Sequence, residues 1–106
     1  MIKTGKNISV VIPVFNEEEN IRSLYLELKE IFLSTNRSYE IIFVNDASKD
    51  DTLAELKKIV IKDKNVIVID FIRNFGQTAA LSAGIDYSSG EIIIPMDGDG
   101  QNDPAD

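Results

Sequence analysis

With 106 residues, 43% of them hydrophobic and 27% charged, the chain is long enough for one modest core and too apolar for a disordered segment. A net charge of −7 argues against contact with nucleic acid or an anionic membrane, since both require basic patches. The absence of cysteine and histidine excludes disulfides, thiolate metal sites and imidazole as base or ligand. No apolar stretch approaches the ~20 residues of a membrane span, and Met1 to Lys6 lacks the apolar segment of a secretory signal, so a cytoplasmic location is the expectation.

Asn7 to Val14 (NISVVIPV) is a nearly continuous, β-branched apolar run, the pattern of a strand buried on both faces. From Glu17 to Leu33, apolar residues at Ile21, Leu24, Tyr25, Leu28, Ile31 and Phe32 recur at spacings of three and four and predict a helix. Asn16 is placed to cap it, with Glu19 reaching back in a capping box. Tyr39 to Asn45 (YEIIFVN) repeats the buried-strand pattern. The turn and cap formers Asp46 to Thr52 then lead into a helix with Leu53, Leu56, Ile59 and Val60 on its apolar face.

Asn65 to Ile69 reads as a third strand, Arg73 to Gln77 as a loop, and Thr78 to Tyr87 as a helix rich in small residues. Ala79 with Ala83, and Ala80 with Gly84, predict a close backbone approach of that helix to the sheet. Gly90 suits a left-handed position closing the helix, and Glu91 to Met96 is the fourth strand. Four alternations of strand and helix predict an α/β fold, a doubly wound parallel sheet with helices on both faces. In a strand order 3-2-1-4 the winding reverses between the first and fourth strands, and ligands bind at the carboxyl ends beside that switch point. Pro13 and Pro95, near the ends of those strands, predict that pairing lapses there and opens a cleft.

Three strand ends carry polar groups suited to a nucleotide. In Pro13 to Glu17, Phe15 and Glu17 suit a base and a ribose, or else a hydrophobic staple and an ordinary first-turn acid. At Asn45 to Ser48, the Asp46 carboxylate suits a base N–H or ribose hydroxyl, a role compatible with a cap turn. In EIIIPMDGDGQND, Asp97 and Asp99 lie two residues apart around Gly98, so both reach one small ion. Such oxygen ligands suit Mg²⁺ or Mn²⁺, with the Gln101 amide oxygen as a third, and the alternative is an acidic surface turn. No glycine-rich phosphate loop is present, so another positive charge must neutralise phosphates. A metal would serve, helped by Arg73 unless that residue is simply a solvated loop cation.

VVIPVFNEEENI, VNDASKDDT, RNFGQTAALSAG and IIPMDGDGQNDP resemble, in order and spacing, the family 2 glycosyltransferases. Within them the resemblance is to the dolichol-phosphate mannosyltransferase and polyprenyl-phosphate glycosyltransferase branch, and it covers essentially the whole chain. It implies the nucleotide-sugar-binding part of a GT-A, Rossmann-like fold over residues 1–106, with the acceptor-binding part absent. Pro13, Phe15 and Glu17 would contact the nucleotide. Asp46 matches the second member of an acidic pair whose first member is replaced by Asn45, and a glycine of the pattern by Ala47. Asp97, Gly98 and Asp99 match the Asp-x-Asp motif, and Gln101 stands where the branch often has a metal ligand.

The implied reaction is inverting transfer from a nucleoside diphosphate sugar to a polyprenyl phosphate, metal-dependent and without a general base in these residues. Membrane association is expected only through the absent part. The stop at Pro104-Ala105-Asp106, directly after the acidic loop, reads as a fragment, inactive alone. The alternatives are transfer to a sugar hydroxyl, a nucleotidyltransferase, or a non-enzymatic module binding metal or nucleotide.

Overall fold

The computed structural model describes residues 7–97. Four parallel strands form one sheet: β1 (Ile8–Val14), β2 (Tyr39–Asn45), β3 (Val66–Asp70) and β4 (Ile92–Pro95), in the spatial order β3-β2-β1-β4. The helices α1 (Ile21–Leu33), α2 (Thr52–Lys62) and α3 (Gln77–Tyr87) alternate with them. Sheet order, parallelism and helical layers are those expected from the pattern of runs.

The two central strands are buried along their whole length, as continuous apolar runs require. One face carries Val10, Ile12, Ile41 and Phe43 and packs against Ile21, Tyr25, Leu28 and Phe32 of α1 and Leu56 and Ile59 of α2. On the opposite face Val11, Ile42 and Val44 pack against α3 through Ala80. Ile31, counted in the α1 stripe from spacing, is instead 57% exposed, at the flank of the buried arc. The Tyr25 hydroxyl donates to Asp63 at 2.6 Å, tying α1 to the residue that closes α2.

The small residues of α3 set how closely it seats. A Cβ on Gly84 would overlap the Val11 side chain, so only glycine permits this helix-to-strand distance. Gly90 departs from expectation: its φ is not positive, and α3 closes at Ser88 in extended geometry. What glycine serves there is proximity, since a Cβ would fall 2.6 Å from the Ser9 amide nitrogen. The Gly90 amide donates to the Ser9 hydroxyl at 2.7 Å, and that hydroxyl donates to the buried Glu40 carboxylate at 2.6 Å.

α1 starts at Ile21, not at Glu17, and its N-cap is Asn20, without a side-chain cap bond. Asn16 does not cap; it adopts a φ of 53 and its side-chain oxygen accepts the Lys49 amide at 2.8 Å. Residues 16–18 are occupied with the neighbouring loop: Asn16, Glu17 and Glu18 donate their amides to Ser48 Oγ, Thr52 Oγ1 and Asp50 Oδ2. With the Asn16 oxygen taken by Lys49 and the Asn16 amide by Ser48, neither the expected cap nor the capping box through Glu19 forms.

The prolines sit where no amide is wanted. The β1–β4 ladder runs from Ile8↔Ile92 to Val11↔Pro95, followed by a bond from the Met96 amide to the Val11 carbonyl at 2.9 Å. Amides of alternate residues point to opposite sides, so Pro13 faces β4 just beyond the last pair, and Pro95 faces the outer side of β4. Pro13 remains opposite Val44 in the β1–β2 ladder. Pairing therefore lapses on the β4 side of Pro13, as expected, while Pro95 itself ends the ladder. β4 is exposed throughout, with Ile92, Ile93 and Ile94 all at 38% or more.

Gly84→Ala should destabilise the fold by about 1–3 kcal/mol through overpacking against Val11, read as a lower midpoint in urea unfolding. Ser82→Ala, on the exposed side of the same helix, should stay within about 0.5 kcal/mol of the parent.

Candidate functional site

A cleft of about 280 Å³ opens at the carboxyl ends of the strands, where β1 and β4 part. The chain winds outward from β1 through β2 to β3, then returns to the other side of β1, which makes this the switch point of the sheet. Pro13, Phe15 and Glu17 line the cleft from the β1–α1 loop, Asp46 from the tip of β2, and Asp97 from the residues after β4. Asn74, Gly76 and Gln77 form the wall on the α3 side.

Five of the residues singled out from sequence thus share one cleft. Phe15 presents a ring that is 41% exposed. Glu17 Oε1 accepts the Asn20 side-chain amide at 2.7 Å, which fixes its carboxylate beside the start of α1. Asp46 is only 4% exposed and both its oxygens are engaged: Oδ1 accepts the Phe75 amide at 2.8 Å and Oδ2 the Gly76 amide at 3.0 Å. Ala47, next in the chain, has a φ of 58, the left-handed geometry for which the glycine of the family pattern is suited.

Two candidates lie elsewhere. Asn45 is buried beneath the cleft, its amide donating to Asp70 at 3.0 Å and its oxygen accepting the Ser48 hydroxyl. Arg73 is exposed and does not line the cleft; its guanidinium lies over the Phe75 ring, 4.8 Å from the centroid. Gly98, Asp99 and Gln101 lie outside the described residues. Asn74 and Gln77 were not singled out beforehand. The available signal was Gly76, a lone glycine immediately before a helix, which here takes a φ of 97 and itself borders the cleft between Asn74 and Gln77.

The lining is acidic, with Glu17, Asp46 and Asp97 and, among the described residues, no lysine or arginine. No three described carboxylates gather closely enough to hold a metal ion by themselves. No described helix is long and apolar enough to cross a membrane.

Asp50 braces the loops behind the cleft. Burial pushes its carboxyl upward, but hydrogen bonds from the Thr52 hydroxyl, the Thr52 amide and the Glu18 amide outweigh that effect and hold it below the ordinary value of 3.8. A carboxyl depressed in the folded state contributes stability above its unfolded pKa and loses it as pH falls through the folded one.

The model of the family described as "Glycosyl transferase family 2" matches residues 9–106. Over 95 residues the chain is 43% identical to the prophage bactoprenol glucosyl transferase homolog of Escherichia coli, covering 90% of this chain and 31% of that protein. It is 42% identical over 100 residues to the dodecaprenyl-phosphate galacturonate synthase of Rhizobium johnstonii, covering 93% and 30%. The chain therefore spans about 30% of the length of the curated relatives it matches. Among solved structures, TarS of Staphylococcus aureus in complex with UDP superimposes with a TM-score of 0.75 at 26% identity, over 88% of this chain and 27% of the other. Glucosyl-3-phosphoglycerate synthase of Mycobacterium tuberculosis, in complex with Mn²⁺, UDP and glucosyl-3-phosphoglycerate, gives 0.67 at 26% identity, over 91% and 34%.

The stability difference between the parent and Asp50→Asn should be largest above about pH 4 and shrink as acid protonates Asp50 in the parent. Unfolding free energies from pH 2 to 7 measure it, and parallel curves would contradict the assignment.

Proposed function

Since the chain belongs to glycosyl transferase family 2, we propose that it is the donor-binding part of an enzyme that moves a sugar from a nucleoside diphosphate sugar to a polyprenyl phosphate. The observation that carries this reading is the sign of the cleft. A nucleotide-sized opening at the switch point is lined by three carboxylates and by no described cation, yet the proposed ligand is a dianionic diphosphate. Two like charges 4 Å apart repel by about 4 kcal/mol near a protein surface, so the ligand enters favourably only with a cation of its own.

The chemistry of the donor set suits a hard divalent ion. The chain holds no cysteine or histidine, and the cleft offers carboxylate oxygens, which favour Mg²⁺ or Mn²⁺. Asp97, Asp99 and Gln101 would hold it; of these Asp97 falls within the described residues and borders the same cleft as Pro13. When bound, the ion would offset the charge that develops on the departing diphosphate.

The chain's own residues handle the nucleotide. The exposed face of Phe15 offers a stacking surface to a base, and Glu17 accepts from ribose hydroxyls. Asp46 retains lone pairs for a base N–H beyond the two amides it already receives. Arg73, exposed on the Phe75 ring outside the cleft lining, has the right charge for a phosphate but is not among the residues that border the cleft. In the transfer an acceptor phosphate oxygen forms the new bond to the anomeric carbon as the opposite bond to the diphosphate breaks. A phosphomonoester is already anionic near neutral pH, so that attack needs no general base. The names of the two relatives support a polyprenyl acceptor. Acceptor binding belongs to the remaining length of such proteins, so the chain alone should bind donor without transferring sugar.

Calorimetric titration of the chain with UDP-sugars and GDP-sugars, each with and without Mn²⁺, tests the reading. Binding should require the ion, and Asp97→Asn should weaken it at least tenfold, about the loss seen when metal-site groups are removed. Nucleotide affinity unchanged by either the ion or the substitution would falsify the proposal. Ion binding indifferent to nucleotide would favour a metal-binding module instead.

A further inference from the structure

Asp46 has an arrangement that a residue serving only to touch ligand would not need. It is almost fully buried, its amide donates to the Val14 carbonyl at 2.9 Å, and its own carbonyl accepts the Asn74 side-chain amide at 3.2 Å. Its carboxylate receives the Phe75 and Gly76 amides. One residue thereby joins the tip of β1, the tip of β2 and the segment that leads into α3. Apolar support for that segment is limited to Phe75, whose ring meets Phe71 edge-on at 5.4 Å between centroids and carries the Arg73 guanidinium. Ile72 is 95% exposed and Phe75 49%, so the polar bonds carry much of the fastening.

Gly76 takes φ 97 and ψ 161, a conformation open to glycine and costly for other residues, although a Cβ there would meet nothing within 4 Å. α3 begins directly after it with no side-chain cap of its own. A buried carboxylate receiving the Gly76 amide supplies negative charge at that helix start, where the exposed amide dipoles favour it.

We propose that Asp46 is a positioning residue whose carboxylate fastens Asn74 to Gln77 as one wall of the cleft, so that order in this wall and occupancy of the cleft rise together. The identity of the occupant rests on the donor-binding reading; the fastening does not. Because coupling is reciprocal, a nucleotide that binds against the ordered wall slows its local opening, and a variant that frees the wall binds nucleotide less well.

Asp46→Asn keeps the shape but leaves one acceptor oxygen for two amides and turns an NH₂ toward the other. Gly76→Ala strains the same segment from the far side with the carboxylate intact. Amide hydrogen exchange by NMR should quicken about tenfold or more at Phe75 and Gly76 in Asp46→Asn, and at Phe75 in Gly76→Ala, with Phe43 unchanged. UDP affinity in the presence of Mn²⁺ should fall about tenfold in both variants. Unchanged exchange in Asp46→Asn would overturn the fastening, and loss of affinity there alone would mark Asp46 as a ligand contact only. A freed wall in Gly76→Ala with parental affinity would overturn the coupling. Should Asp46→Asn fail to fold, Gly76→Ala still decides. Should the parent bind no nucleotide, the donor-binding reading falls, and exchange alone settles whether Asp46 holds the wall.

Discussion

The parallel ladder between β1 and β2 is the constraint on which the rest of the molecule depends. Its register sets Val14 opposite Asn45, so both strands end at one level and release their loops on the same side. Parallel strands lack the tight hairpin that would let each turn straight into the next, and every connection must cross a face of the sheet as a helix. Burial of both strands follows from those crossings, and so does the clustering of strand ends at one edge. The cleft is a product of this geometry before any polar residue is considered.

The loops at that edge are held mainly by one another. Asn16 is tied to Ser48 and Lys49, Glu17 to Thr52, and Glu18 to Asp50, so the β1–α1 and β2–α2 connections form a single laced unit. On the other side Asn45 reaches Asp70, and Asp46 reaches the start of α3. These bonds join chain segments 25 or more residues apart with little apolar area between them. They bring together carboxylates that repel one another, an arrangement that favours stability less than it favours a charged ligand.

The legible parts of the sequence were those governed by short-range periodicity. Continuous apolar runs marked β1 and β2, spacings of three and four marked α1 and α2, and the paired small residues of α3 announced its close seating, which Gly84 makes sterically necessary. Right-handed crossovers leave only a few strand orders open, and 3-2-1-4, the one considered from the sequence, is the one found. Asn16 misled because a side chain suited to capping serves equally well as an acceptor for a distant amide, and only the tertiary arrangement of Lys49 decides between them. Gly90 misled similarly: the same residue answers a need for left-handed backbone or for room, and here Ser9 demanded room. Arg73 and Asn45 carry suitable chemistry, but their direction depends on Phe75 and Asp70, which no local pattern encodes.

The outer side of β4 carries a further implication. Among the described residues no strand pairs with that side, and the three consecutive isoleucines of β4 stand exposed beside backbone groups to which an extended segment could bond. Of the β4 positions whose nitrogens point that way, Ile93 has a hydrogen to give and Pro95 has none, so an intruding strand would gain one donor and then meet a gap. The imino acid that ends the β1–β4 ladder at the mouth of the cleft therefore also limits how far along β4 any further strand can be bonded.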